Sequence, residues 1–260
     1  MSAQARYRVG TTSFVHPASW LENAERVAGR VRDVEILLFE APSPTTAPSP
    51  AEIAGLARLG RAAGLSYSVH APIVALASED EARRREGVDA VRRAAEITAP
   101  LEPHALVVHV ERGSPNGDVG AWRGRAARSI REILASGVAP ATVAVETLEY
   151  DFALVEPVVE ELGLSVALDV GHLARDGVPL EPVLRRNLAR SRVVHWHGTD
   201  PSGRDHRSVR HYPRAGAVSL VRALAVAGWA GVVTLEVFRE ADLDDSLAVL
   251  ADIEREALAS

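Results

Sequence analysis

Apolar positions along the chain fall into short runs, and amphipathic stretches alternate with them. The runs are Val34–Phe39 (V-E-I-L-L-F), Leu65–Val69, Ala105–Val108, Thr142–Val145, Ser165–Leu168, Val193–His197 and Val232–Leu235, with Arg6–Gly10 opening the series. Their length and their bounding polar, Gly and Pro residues predict strands. Between them apolar residues recur at helical spacing. Helices are predicted over Trp20–Ala28, along Ile53, Leu56 and Ala57, over Glu79–Ile97, along Trp122, Ala126, Ile130 and Ile133, over Phe152–Leu162, near Leu180–Leu188, along Val218, Val221 and Leu224, and along Leu243, Leu247, Leu250 and Ile253. The helix-boundary signals agree. Ser49 and Glu52 have capping-box spacing with Pro50 at the first helical position, and Gly64, Gly137 and Gly228 stand at helix ends. Pro157 requires its helix to begin close by. The Pro/Ser/Thr-rich segment Ala41–Pro50 is a loop.

Eight strand–helix pairs in sequence predict an α/β protein with a parallel sheet closed on itself, a single-domain (β/α)8 TIM barrel over residues 1–260. The strands read as near-continuous apolar runs rather than alternating ones, as parallel strands covered on both faces should. No linker-like change of composition and no short repeat divides the chain.

Composition narrows the chemistry. The chain has 260 residues, 47% hydrophobic and 25% charged, with a net charge of −6. That balance argues against a general nucleic-acid binder. No apolar run approaches a membrane span, and the first ten residues lack the apolar core of a signal peptide, so a cytoplasmic location is expected. There is no Cys, which removes thiolate ligands, disulfides and Cys nucleophiles. There is no Lys either, which removes Schiff-base chemistry and a phosphate-loop Lys. Acid–base and electrophilic work falls to His, Asp, Glu, Arg or a metal.

In barrels of this type the reacting groups stand at the C-terminal strand ends. Here those ends carry Glu40, His70, His109, Glu146, Asp169, His195, His197 and Glu236. Of nine His, six (His70, His109, His172, His195, His197 and His206) fall at or just past such an end. The densest stretch is Val193–His206, in which His195 and His197 share one strand face and Asp200, Asp205 and His206 follow in one loop. Any one His reads equally well as a core or loop residue with a satisfied hydrogen bond; the set reads as a metal centre. Imidazoles and carboxylates without thiolates suit Zn, Mn, Fe or Co. Glu146, Asp169, a His of the seventh strand and Glu236 suffice for one ion. His70, His109, His172 and His206 exceed what one ion uses, so two or three ions are expected, Zn or Mn. Such centres activate water and clamp phosphoryl groups. Arg204, Arg207 and Arg210 read either as phosphate clamps or as solvated loop charges. Thr11 and Thr12, in a G-T-T-S turn, offer hydroxyls to a phosphate or form an ordinary turn. Glu40 is a site carboxylate or a rim residue.

The motifs H-A-P (70–72), V-V-H (107–109), A-V-E-T (144–147), L-D-V-G-H (168–172), H-G-T-D (197–200), R-D-H (204–206) and T-L-E (234–236) resemble those of the xylose-isomerase-like barrels, which include sugar isomerases, epimerases and endonuclease-IV-type nucleases. The resemblance covers nearly the whole chain. Its epimerase branch implies one divalent ion on Glu146, Asp169, His197 or His195, and Glu236, with the two Glu as acid–base groups. Its nuclease-like branch implies three zinc ions and adds His70, His109, His172 and the Asp–His loop. The chain departs from that branch in one place, because Asp205 and His206 are adjacent where the family spaces them by one residue. The segments R-V-G-T-T-S-F (8–14) and D-V-E-I-L-L-F-E (33–40) look more specifically like the cobamide-remodelling phosphodiesterases. That likeness implies a metal-dependent phosphodiesterase acting on the nucleotide loop of a corrinoid. Taken together, the readings expect metal ligands at His70, His109, Glu146, Asp169, His172, His197, His206 and Glu236, with Thr11, Thr12, Glu40, His195, Asp200, Arg204 and Asp205 towards substrate. The alternatives are a sugar isomerase or epimerase, and a non-catalytic barrel that binds a small ligand. A small-molecule substrate is expected, with neither nucleic acid nor membrane as partner.

Overall fold

The computed structural model describes residues 6–43, 45–114 and 116–259. The signal-peptide reading concerns a start whose first five residues lie outside these. Eight parallel strands close a barrel in sequential order. They are β1 (Arg8–Thr12), β2 (Asp33–Leu37), β3 (Ser66–His70), β4 (Leu106–Val108), β5 (Val143–Glu146), β6 (Ser165–Asp169), β7 (Ser191–Trp196) and β8 (Val232–Leu235). The α-helices are α1 (Trp20–Val27), α2 (Pro50–Ala63), α3 (Glu81–Thr98), α4 (Val119–Leu134), α5 (Glu156–Glu161), α6 (Val170–Arg175), α7 (Leu180–Asn187), α8 (Arg214–Val226) and α9 (Glu240–Leu258). The predicted barrel is therefore the observed one. Among the described residues no helix is long and apolar enough to cross a membrane.

The chain falls into two compact units, residues 1–35 with 168–260, and residues 36–167. In the first unit β1 is flanked by β2 and β8, with Thr12 opposite Glu35 and Thr11 opposite Leu235. β7 pairs with β8, which sets His195 opposite Thr234. Trp196 points away from the two His beside it. It is fully buried, and its ring stands edge-on to Tyr212 at 5.6 Å. In the second unit β4 joins β3 and β5, and Glu146 lies opposite Ala167 on β6. There Arg84 of α3 is buried and reaches Ser129 and Glu132 of α4 at 2.9 Å each, with Glu81 one turn away. A buried guanidinium needs this set of acceptors to offset its desolvation.

Local signals account for the helix starts. Ser49 and Glu52 make the expected reciprocal capping box, and Gly64 closes α2 at φ 66°. Ser19 and Glu22 form a second box on α1. Three expectations need correcting. β1 runs two residues later than Arg6–Gly10, because pairing on both sides draws the β-branched Thr11 and Thr12 into the strand. β2 ends at Leu37, leaving Glu40 exposed in a bend beyond it. Phe152–Leu162 is a 3-10 turn at Phe152–Leu154 followed by α5, and Pro157 lies in the first turn of α5, where its missing N–H costs nothing.

Candidate metal centre

In the unit of residues 36–167, β3 ends in His70, β5 ends in Glu146, and His109 follows β4. One ligand atom from each lies within 4.8 Å of the others. Glu146 Oε2 is 2.9 Å from His109 Nε2 and 3.4 Å from His70 Nε2. The far nitrogen of His70 is 2.9 Å from the Ala71 carbonyl, so Nδ1–H donates there and Nε2 is left as the inward donor atom. That backbone contact is the kind that fixes tautomer and ring angle in metal-ligating His. His70 and Glu146 are buried, while His109 keeps 14% of its side chain exposed. The Phe39 ring lies 5.9 Å from that of His70.

In the other unit β6 ends in Asp169, whose carboxylate caps α6 by accepting from His172 N at 2.7 Å. The sequence L-D-V-G-H thereby turns from strand into helix within one residue and places His172 over its own cap. His197 continues the inward face of β7. The loop after it returns on itself, with Gly198 and Arg207 exchanging N–H···O bonds of 2.9 Å. His206 adopts φ 52°, a left-handed conformation uncommon for a residue with a side chain. This twist lets two adjacent residues both face inward, which answers the departure from the spaced Asp–His pattern. His172, His197, Asp205 and His206 form one compact donor group, and Asp169, His197 and Glu236 form another.

The donor atoms crowd without bonding to each other. His197 Nδ1 is 2.9 Å from Asp205 Oδ1, and His197 Nε2 is 3.4 Å from Asp169 Oδ1. Yet both ring nitrogens of this fully buried His lack a hydrogen bond, as does Nδ1 of His172, 2.9 Å from Asp169 Oδ2. Buried polar atoms are ordinarily satisfied. Atoms that approach closely but point past one another suit a shared cation, so the residues fit a divalent ion. The charge balance agrees. Burial works to lower the His197 pKa, but the adjoining carboxylates of Asp169 and Asp205 outweigh it and raise it to about 10. Burial likewise works to raise Asp169 and Asp205, and the imidazoles beside them hold both far below the usual carboxylate range. His206 is pushed down to about 4 by burial and by the charges of His197 and His172. Carboxylates packed this closely call for positive charge beside them, which a divalent ion would supply.

His195 answers differently. It is fully buried one layer deeper than His197, with Nε2 3.0 Å from Glu35 Oε2 and Nδ1 3.8 Å from Glu236 Oε2. Glu35, a fully buried acid beside His195, carries no signal at a strand end that would have singled it out in the sequence.

The residues expected towards substrate stand in different settings. The hydroxyls of Thr11 and Thr12 donate to the Leu235 and Val237 carbonyls at 3.0 and 2.9 Å, which leaves neither proton for a phosphate. Glu40 is exposed and belongs to no donor group among the described residues. Asp200 organises the loop: it accepts from the Ser202 and Arg204 backbone and pairs with the Arg204 and Arg207 guanidinium groups. Arg207 also meets Asp242, and Arg210 pairs with Asp245. These arginines neutralise neighbouring carboxylates. Asp205 faces inward with the imidazoles and is held from outside by Arg175 Nη1 at 2.8 Å and Thr199 Oγ1 at 3.0 Å.

The chain matches a known family over residues 30–253, described as the xylose isomerase-like TIM barrel. The chain belongs to that family. Among solved structures it is similar to a D-tagatose 3-epimerase-like protein, at 20% identity and a TM-score of 0.75, over 96% of this chain and 98% of that one. It is similar to endonuclease IV from Thermus thermophilus, at 20% identity and a TM-score of 0.68, over 96% and 99%. The IOLI protein, solved with a zinc atom, shares 14% identity at a TM-score of 0.72, over 97% and 98%. No curated protein sequence matches the chain.

Proposed function

We propose that this protein is a metal-dependent hydrolase of phosphodiesters. The observation that carries the reading is the surplus of imidazoles. Asp169, His197 and Glu236 already form a donor set for one ion, and His70, His109, His172 and His206 stand in further compact groups with their own carboxylates. A single-ion isomerase has no use for them. Divalent ions, zinc by ligand type, supply water activation and neutralisation of charge on phosphoryl oxygens. The residues do the rest. Glu146 and Glu236 would hold or move the proton of the attacking water, His70 and His109 stand beside Glu146, and Asp205, braced by Arg175, holds its carboxylate towards His172 and His197. The acidic balance of the chain favours a small substrate over a nucleic acid. The nucleotide loop of a corrinoid is the specific candidate, on the resemblance of residues 8–14 and 33–40.

Metal analysis of the purified chain, paired with phosphodiester cleavage assays on bis(p-nitrophenyl) phosphate and on a cobamide, tests this. Two or three zinc equivalents with chelator-sensitive cleavage are expected; one equivalent without cleavage refutes it.

The compact Asp169–His197–Glu236 set favours a second reading, a one-ion sugar epimerase. Glu146 and Glu236 then exchange a proton at a carbon beside a carbonyl. Incorporation of solvent deuterium into a ketose distinguishes it.

A further inference from the structure

The interior of a TIM barrel is ordinarily filled by branched aliphatic side chains. Here that layer holds a fully buried carboxylate on β2, a fully buried imidazole on β7 and a fully buried hydroxyl on β8: Glu35, His195 and Thr234. Glu35 Oε2 receives both partners, His195 Nε2 at 3.0 Å and Thr234 Oγ1 at 3.3 Å. Its other oxygen is buried without a hydrogen bond. A carboxylate taken out of water with one oxygen unsatisfied is expensive. A Gln or an aliphatic residue fills the same space more cheaply, so a carboxyl group kept here calls for a purpose. The far side of the imidazole shows one: His195 Nδ1 faces Glu236 Oε2 at 3.8 Å. The line Glu35–His195–Glu236 thus runs from the barrel interior to the proposed ligand and acid–base carboxylate.

We infer that Glu35 is a positioning residue: by accepting the His195 Nε2–H it fixes the ring with its Nδ1 edge packed against Glu236, and the fixed ring limits the positions that the Glu236 carboxylate can take towards the ion. The inference rests on the metal-dependent reading above. It assigns to a carboxylate–imidazole pair the outer-sphere orienting role that such pairs play around bound metals. Thr234 is part of the device, since its hydroxyl donates to the same oxygen and fixes which lone pair remains for the imidazole. Glu35 itself touches neither substrate nor ion in this arrangement.

Zinc affinity of the full chain, read by competition with a chromophoric chelator, tests the inference. Glu35→Gln and His195→Gln are each expected to weaken the tightest zinc by roughly tenfold to a hundredfold, the range typical of lost outer-sphere partners. The double variant is expected to bind as the weaker single does, because both changes break one line. Singles that bind like the parent, or losses that multiply in the double, overturn the inference while leaving the metal reading intact. A parent chain that binds no zinc overturns both. Should either variant fail to fold, the imidazole 1H–15N spectrum of the metal-free parent decides: a His195 proton on Nε2 is expected, and a bare Nε2 overturns the assignment.

Discussion

The His197 ring occupies the space that a side chain on Gly171 would take: a Cβ built on Gly171 lies 2.4 Å from His197 Nε2 and 2.5 Å from its two neighbouring carbons. The two residues come from α6 and the end of β7. The small residue is what lets the imidazole sit flush against the helix that carries His172. Gly171→Ala, although it favours a helix by propensity, is expected to destabilise the chain by about 1–3 kcal/mol through overpacking. It is also expected to displace His197, so zinc affinity falls with it. Urea unfolding and zinc competition on the same variant check both.

Arg175 is expected to act on metal affinity without touching a ligand position. Its Nη1 holds Asp205 Oδ2 at 2.8 Å, and Asp205 is the carboxylate facing His197. Arg175→Met removes that brace and keeps the length of the side chain. A severalfold rise in zinc Kd with an unchanged melting temperature is the expected outcome; unchanged affinity would show that Thr199 alone suffices.

Removal of metal should lower stability as well as activity. An ion that binds only the folded chain adds RT ln(1 + [L]/Kd), about 2.7 kcal/mol at a hundred times Kd. Dialysis against a chelator is expected to lower the melting temperature by several degrees, and added zinc should restore it.

The α3–α4 junction offers a stability test away from the centre. Arg84 is buried, but Glu81 and Glu132 keep about two-fifths of their side chains exposed, so solvent screens the pair. Arg84→Ala is expected to cost about 2 kcal/mol, below the range for a fully buried pair because of that screening. Glu132→Gln is expected to cost less than about 1 kcal/mol. Chemical denaturation measures both.

Acid should loosen the loop around Asp200 before the barrel. Hydrogen bonds from Ser202 and Arg204 hold this carboxyl down at about 2, below its ordinary value of 3.8. A depressed carboxyl contributes stability above its unfolded pKa and loses it as pH falls through the folded one. Backbone exchange in residues 198–207 is therefore expected to accelerate between about pH 4 and 2, and Asp200→Asn should show fast exchange already at neutral pH.

The barrel was legible because parallel strands are covered on both faces and so appear as apolar runs, and because the reacting ends of those runs carry the polar residues. His70, His109, Glu146, Asp169, His197 and Glu236 all follow from that one rule; His70, His109 and Glu146 lie in one compact donor group and Asp169, His197 and Glu236 in another. Glu35 escaped it. It lies inside V-E-I-L-L rather than at the end of a run, although an acid in the middle of a strand with no solvent face has nowhere to point except inward. The end of β1 falls two residues past the expected Gly10, because Gly10 reads as a turn when the pairing partners of β1 are unknown. The arginines of residues 204–210 were ambiguous for another reason: their partners include Asp242 and Asp245 of α9, and sequence spacing says nothing about which distant carboxylate a guanidinium will meet.

The reciprocal pair of bonds between Gly198 and Arg207 makes the span carrying Asp205 and His206 a detachable accessory. It leaves the barrel and rejoins it at one point, so shortening it there would strip two donors from the centre and disturb no strand. On the proposed metal-dependent reading, this loop can add or withdraw the donors beside His172 and His197, while His70, His109 and Glu146 stand apart from it.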